Sequence, residues 1–297
     1  RTGIESRRFA GPDESVVDMA IGAAEQALAR AKLTIKDIDS VIVATITYPH
    51  QAPSAATALI QRMGNPTAAA FDISAACAGF CYGVAMAHDF VRAGSAKKVL
   101  VVGVEKISDF TDPTDRATAF IFADGAGAVV IGESPEAGIG PVEWGSDSEN
   151  RDAILMNPSW IDVRDTETQL TKADVKWPNI TQEGQKVFRW AVFSMSKAAL
   201  KALDSAGLSV NELDAFIPHQ ANVRIIETMA KEMKLPESVI IADDIRTNGN
   251  TSAASIPLAM DALLAKHPEL HGKLALLIGY GAGLVYAGQV VKLPPKP

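Results

Sequence analysis

The chain repeats itself. Displaced by 175 positions it sets Ala24 against Ala199, Ala27 against Ala202, Leu28 against Leu203, Ala31 against Ala206, Leu33 against Leu208 and Asp39 against Asp214. Further along, a displacement of 156 sets Gly125-Ala126-Gly127 against Gly281-Ala282-Gly283 and Val129 against Val285. The change of offset implies about 19 extra residues in the first half, between Gly103 and Gly125. Such a chain folds into two like units, because one pattern of apolar positions and turns specifies the same local structure twice. Each half reads as helix, strand, loop, strand, helix, strand, glycine turn and strand, the alternation of a mixed sheet covered by helices. The expected fold class is α/β, two similar mixed-sheet halves layered with helices. Residues 1–145 make the first half and 191–297 the second. The polar stretch 146–190 has no counterpart and reads as an insert that caps the site.

Three segments bring chemistry to this frame: DISAACAGF around Cys77, PHQAN at His219 and GNTSAAS around Asn250. In the repeat register Cys77 lies opposite Ser252, Asn250 opposite Ala75 and His219 opposite Ala44. All three are thus expected at strand ends, where ligand sites of open α/β sheets gather. Cys77 follows the strand AAAFDI and a small-residue turn and precedes a helix from Ala78 to Phe90. The positive end of that helix is expected to lower the thiol's pKa and favour the nucleophilic thiolate. Cys81 falls inside the same helix and reads as core. His219 follows the strand Ala215–Pro218 and precedes a helix with Val223, Ile226, Met229 and Ala230 on its apolar face. His50, His88, His267 and His271 read as solvated. Taken singly, Asn250 would read as a helix cap and Cys77 as a buried structural cysteine; together the three supply a nucleophile, an imidazole and a neutral amide.

Composition closes off other classes. The net charge of −7, with no basic run, excludes a protein whose main work is holding nucleic acid. The longest uncharged stretch, Leu274 to Val291, is broken by glycines and a glutamine, so it reads as two strands about a turn and not as a membrane span. No signal peptide is read. Cys77 and Cys81 sit one helical turn apart, a spacing that closes no disulfide in a regular helix and lacks the partners of a zinc site. A reducing cytoplasm and no metal are therefore expected.

The motifs RTGI, SAACAGF, DPTDRAT, FADGAGA, VFRWAV, PHQANVRII, GNTSAASIP and GYGAGLVYAG, spread over essentially the whole chain, resemble those of the beta-ketoacyl-acyl-carrier-protein synthase III family of the thiolase-like superfamily. The resemblance implies a thiolase-like duplicated fold, a homodimer, acyl-coenzyme A and acyl carrier protein as substrate and partner, and no cofactor. It places Cys77, His219 and Asn250 in the catalytic roles and the N–H groups of Cys77 and Gly283 in the oxyanion hole. It implies coenzyme A or pantetheine contacts from Arg1, Thr2, Arg116, Gly184, Phe188 and Asn222. Carrier-protein contacts fall to Gln220, Ala221, Asn222, Val223, Arg224 and Lys231. By helical spacing Arg224, Lys231 and Lys234 share one broad face, a basic landing site on an acidic protein. Family members carry, ahead of the RTGI segment, a tryptophan that stacks on the adenine of coenzyme A, and this sequence has none there. Ala52 precedes the Pro53-Ser54-Ala55 turn where some members carry a bulky aromatic, which implies a roomier acyl pocket.

The implied reaction is the condensation of an acyl-coenzyme A starter with malonyl-acyl carrier protein, with loss of carbon dioxide, at the start of fatty-acid synthesis. The alternative within the family is a synthase that primes a polyketide pathway. Two readings lie outside it. A papain-like protease uses the same three residue types in the same order, but its local cysteine signature is absent and a repeated α/β sheet is the wrong scaffold. A silent partner subunit typically lacks the nucleophile, which this chain keeps.

Overall fold

The computed structural model of the chain describes residues 2–167 and 177–297. Its first half runs α1 (Val16–Ala31), β1 (Ser40–Ala44), α2 (Ala55–Met63), β2 (Ala69–Ile73), α3 (Gly79–Ala93), β3 (Lys98–Glu105) and β4 (Gly125–Gly132). Next come β5 (Glu143–Ser146), β6 (Ile154–Asn157), α4 (Trp160–Glu167) and β7 (Asn179–Gln182). The second half runs α5 (Gly184–Ser205), β8 (Ala215–Pro218), α6 (Val223–Glu232), β9 (Ile240–Ile241), α7 (Ile245–Asn248), α8 (Ser255–Lys266), β10 (Leu274–Gly281) and β11 (Val285–Lys292). The segment read as a loop after β1 thus contains α2, while α6 falls where a helix is expected after His219. Ser54 caps α2, and its oxygen accepts the Thr57 N–H, a short polar start ahead of the small-residue run AATAL that periodicity alone under-reads.

Both halves use one topology. The first sheet has the order β2-β1-β3-β4, and the second repeats it as β9-β8-β10-β11, with β5 added beyond β11. In each, two parallel pairings are followed by one antiparallel pairing. The strands are apolar on both faces because both faces are covered. In β3, Val99 and Val101 face the central layer of α3 and α8, while Leu100, Val102 and Val104 face α1 and α2. In β10, Ala275 and Leu277 face the same central layer, while Leu276, Ile278 and Tyr280 face α5 and α6. The period of two along each strand therefore builds five layers, helices, sheet, helices, sheet and helices.

The structure corrects the repeat register. The 3₁₀ turn Ala76–Ala78 leading into α3 corresponds to the turn Ser252–Ala254 leading into α8. Their first residues, Ala76 and Ser252, both adopt positive φ, 44° and 51°. Ser252 is therefore the counterpart of Ala76, not of Cys77. Likewise Glu105 pairs with Gly125 where Gly281 pairs with Val285, so Gly281 ends a strand and is not the partner of Gly125. Unequal links cause both displacements: α7 intervenes after β9 alone, and residues 106–124 join β3 to β4 where 282–284 join β10 to β11.

The halves interlock through a pair of glycines. A Cβ on Gly103 in β3 would lie 2.2 Å from the carbonyl oxygen of Ala253, and one on Gly279 in β10 would lie 3.0 Å from Cα of Ala78. Each strand thus admits the turn of the opposite half against its bare backbone. Gly103→Ala should destabilise the chain by about 1–3 kcal/mol, since backbone meets backbone and no side chain can yield. Urea unfolding monitored by far-UV circular dichroism should show the midpoint fall. An unchanged midpoint would mean that the two turns are not held in contact.

Candidate active site

The two turns converge on a cavity of about 830 Å³. Its wall includes Cys77, His219 and Asn250, together with Ser252, Tyr280, Gly281 and Ala282. Cys77 stands in the turn after β2, His219 directly follows β8, and Asn250 follows α7. β10 presses on the nucleophile, for a Cβ on Gly281 would lie 3.0 Å from Cys77 Sγ.

Each polar group is held in a definite orientation. Asn250 Oδ1 accepts the Ser252 N–H at 2.9 Å. That bond commits the oxygen and leaves Nδ2 as the amide group available to the cavity. Main-chain bonds fix the residue further, from Asn250 N–H to the Ile121 carbonyl and from Ala123 N–H to the Asn250 carbonyl. His219 Nδ1 lies 2.7 Å from Ser255 Oγ, which also accepts the Gln220 N–H at 3.3 Å. Burial alone holds the His219 imidazole down at about 3, so the ring is neutral at physiological pH. Tyr280 meets it edge to face at 5.2 Å.

The thiol departs from expectation. The surrounding protein pushes Cys77 up to about 12, burial first, with the Glu105 carboxylate adding to the rise and the Ser252 hydroxyl opposing it. The expected lowering by the helix is outweighed, because Cys77 precedes α3 by a turn and faces a buried acid. Neither Glu105 nor the role of Ser252 was read from the sequence. Glu105 is fully buried and accepts from Thr47 Oγ1, Thr45 Oγ1, Ile46 N–H and Ser252 Oγ. A lone acid closing the apolar strand VLVVGVE was the available signal.

The binding residues divide. Gly184, Phe188, Asn222, Ala221 and Arg224 line the cavity. The Arg224 guanidinium lies over the Phe188 ring at 5.9 Å, and Asn222 caps α6 by accepting the Arg224 N–H. Arg116 is exposed and lies outside the wall, although its neighbour Ala117 is in it. Thr2 instead ties its carbonyl to Val223 N–H. Arg1 lies outside the described residues. Gln220 is fully buried, its amide bonded to the carbonyls of Pro218 and Ala242 and to Ile245 N–H, so it offers nothing to a docking protein. Val223 is 7 % exposed and packs with Ile226 and Ile245. Lys231 is exposed near the end of α6, but Lys234 lies beyond that helix at φ 53°. Gly283 sits past the wall, where Ala282 takes its place. Ala52 is exposed and outside the wall.

The segment between the halves contributes Ile154 of β6, with Ile180 and Gln182 of β7, to the wall. It is pinned down by Trp177 Nε1–H on the Asp109 carbonyl and by Gln182 on the Ala117 carbonyl. Gln185, Arg189 and Trp190 at the start of α5 also line the cavity and had not been singled out. Among the described residues no cluster of His, Cys, Asp or Glu could hold a metal ion, and no helix is long and apolar enough to cross a membrane.

Comparison with known proteins gives the family. Residues 71–148 match the family model 3-Oxoacyl-[acyl-carrier-protein (ACP)] synthase III, and residues 203–293 match that of its C-terminal part. The chain is 55 % identical to beta-ketoacyl-[acyl-carrier-protein] synthase III 1 of Streptomyces coelicolor, over 99 % of this chain and 87 % of the relative. It is 52 % identical to the mycobacterial beta-ketoacyl-[acyl-carrier-protein] synthase III of Mycobacterium avium, over 99 % of this chain and 86 % of the relative. Among solved structures, the priming beta-ketosynthase of the R1128 polyketide biosynthetic pathway superposes with a TM-score of 0.95 at 43 % identity, covering 100 % of this chain and 87 % of that one. The synthase III of Aquifex aeolicus superposes at 0.88 with 35 % identity, over 98 % and 89 %. A repeated sheet, a cysteine-histidine-asparagine cavity and these matches lead to one assignment: the chain is a condensing acyltransferase of the beta-ketoacyl-[acyl-carrier-protein] synthase III family.

Proposed function

We propose that the chain joins an acyl-coenzyme A starter to malonyl-acyl carrier protein, initiating fatty-acid synthesis, with Cys77 as the acylated nucleophile. One observation carries the reading: Cys77, His219 and Asn250 share a single cavity wall, and the Asn250 amide is oriented with its donor free. In the first half-reaction Cys77 sulfur attacks the thioester carbonyl, and backbone N–H groups stabilise the oxyanion. Cys77 and Ala282 supply those donors, since Ala282 rather than Gly283 faces the cavity. Coenzyme A then leaves.

In the second half-reaction malonyl-acyl carrier protein loses carbon dioxide, and the enolate oxygen requires donors that keep their protons. Asn250 Nδ2–H is one. The other is His219 Nε2–H, in the tautomer whose Nδ1 accepts the Ser255 hydroxyl proton. The carbanion attacks the acyl group on Cys77 and releases 3-oxoacyl carrier protein. This chemistry requires neither a metal nor a redox cofactor. The working unit is a homodimer, supported by edge strand β2, whose half-buried Ala70, Phe71 and Ile73 leave one side for a second copy. The compartment is the reducing cytoplasm, which keeps the thiol free. Intact mass after exposure to a panel of acyl-coenzyme A thioesters tests the reading. One acyl group should accumulate, and peptide mapping should locate it on Cys77; an adduct elsewhere rejects the assignment.

The carrier protein docks at the mouth of the cavity on α6, where Arg224 is exposed beside Phe188. Arg224→Glu should raise the apparent KM for malonyl-acyl carrier protein roughly tenfold while sparing acylation by acyl-coenzyme A. Equal loss in both half-reactions would show that Arg224 serves the shared tunnel.

A further inference from the structure

A buried acid lies behind the nucleophile, and the condensation as described does not use it. Glu105 is 0 % exposed at the end of β3. One oxygen, Oε2, takes Thr47 Oγ1–H at 2.7 Å, Thr45 Oγ1–H at 3.2 Å and Ile46 N–H at 3.1 Å. The other, Oε1, takes Ser252 Oγ–H at 3.1 Å and no other donor among the described residues. Ser252 shares the cavity wall with Cys77, and its hydroxyl opposes the rise of the thiol's pKa. Sulfur and hydroxyl thus stand in one cavity wall where the two halves' turns meet, and the hydroxyl is bonded to the carboxylate behind it.

We propose that Glu105 holds the proton of Cys77 during catalysis, received through the Ser252 hydroxyl. The S–H bond breaks, Ser252 oxygen takes that proton, and the Ser252 hydroxyl proton passes to Glu105 Oε1. Thiol and carboxylate become thiolate and carboxylic acid with no change in net charge, so two buried anions never coexist. When the carbanion expels Cys77 as thiolate at the end of the cycle, the same path returns the proton. The coenzyme A thiolate takes its proton from solvent. Burial raises the Glu105 carboxyl to about 7, which suits a group that accepts and gives a proton near neutrality. The other titratable groups nearby do not compete. His219 is buried and neutral, Tyr280 is pushed up further by burial and by Cys77, and Lys106 turns its ammonium to the carbonyls of Gly11, Pro12 and Glu14.

This role rests on Cys77 being the nucleophile, so the test uses a reaction that needs no acyl donor. The rate of Cys77 alkylation by iodoacetamide is followed by mass from pH 5.5 to 9.5 in the parent, Glu105→Gln and Ser252→Ala. Ser252→Ala keeps the carboxylate, and Ala76 shows that alanine occupies the equivalent turn position at positive φ. In the parent the rate should rise as Glu105 ionises and then level off. In both variants it should fall roughly a hundredfold at pH 7.5 and climb with pH without the inflection near 7. A folded variant of either kind that keeps the parent rate and inflection overturns the relay. Faster alkylation in Glu105→Gln also overturns it, showing that the carboxylate only repels the thiolate. A failure of Cys77 to be acylated is read separately, from the acyl-adduct masses.

Discussion

Cys77→Ala should abolish acyl transfer, lowering the condensation rate roughly 10⁴- to 10⁶-fold, while Cys81→Ala keeps it. The two cysteines differ in surroundings. Cys77 faces the cavity, whereas Cys81 is 0 % exposed in the central helical layer, where its carbonyl accepts from Gln289. That bond is made by the backbone and survives truncation of the side chain. Malonyl decarboxylation should continue in Cys77→Ala, because Asn250 and His219 keep their donors. Steady-state condensation and carbon dioxide release, measured side by side, check this. Loss of condensation in Cys81→Ala at unchanged stability would move the nucleophile.

Asn250→Asp should divide the half-reactions in the opposite way. The substitution preserves shape and the acceptor for Ser252 N–H, so the turn is kept. It removes the Nδ2–H donor and sets a negative charge where the enolate forms. Loss of one such donor costs about 2.7–4 kcal/mol, roughly a hundred- to a thousandfold in decarboxylation rate, and repulsion adds to it. Burst acylation of Cys77 should stay near the parent value, since loading depends on the thiol and the backbone oxyanion donors. Decarboxylation at the parent rate would show that Asn250 only forms the turn.

Much of this site was legible because the repeat and the motifs constrain the chain independently. Leu274–Val291 reads as two strands, and it forms β10 and β11. Cys77, His219 and Asn250 read as strand-end residues; the first two do follow β2 and β8, whereas Asn250 follows the helix α7, and the folded chain sets all three in one wall. Three-dimensional closeness was the harder part. Gln220 falls inside PHQAN beside half-buried Ala221 and Asn222, yet it is itself fully buried, and α7 folds over it and uses its amide. Gly283 follows Gly281 in an apparently uniform turn, yet the strand pairing ends at Gly281 and brings Ala282 to the cavity. The one-residue displacement between the halves arises in links whose lengths no periodicity reports. The raised thiol could not be read either, because its first cause is burial in the folded chain, and Glu105, whose charge adds to it, lies 28 positions from Cys77.

The central claim is that the acyl group on Cys77 is the one the malonyl carbon captures. A single-turnover chase tests it most directly: enzyme loaded with a ¹³C-labelled acyl group and freed of acyl-coenzyme A is mixed with malonyl-acyl carrier protein, and both proteins are weighed by mass spectrometry over time. The label should leave Cys77 and appear as 3-oxoacyl carrier protein in equal amount and at the same rate. Label that stays on Cys77 while product forms, or leaves only as free acid, would contradict the account.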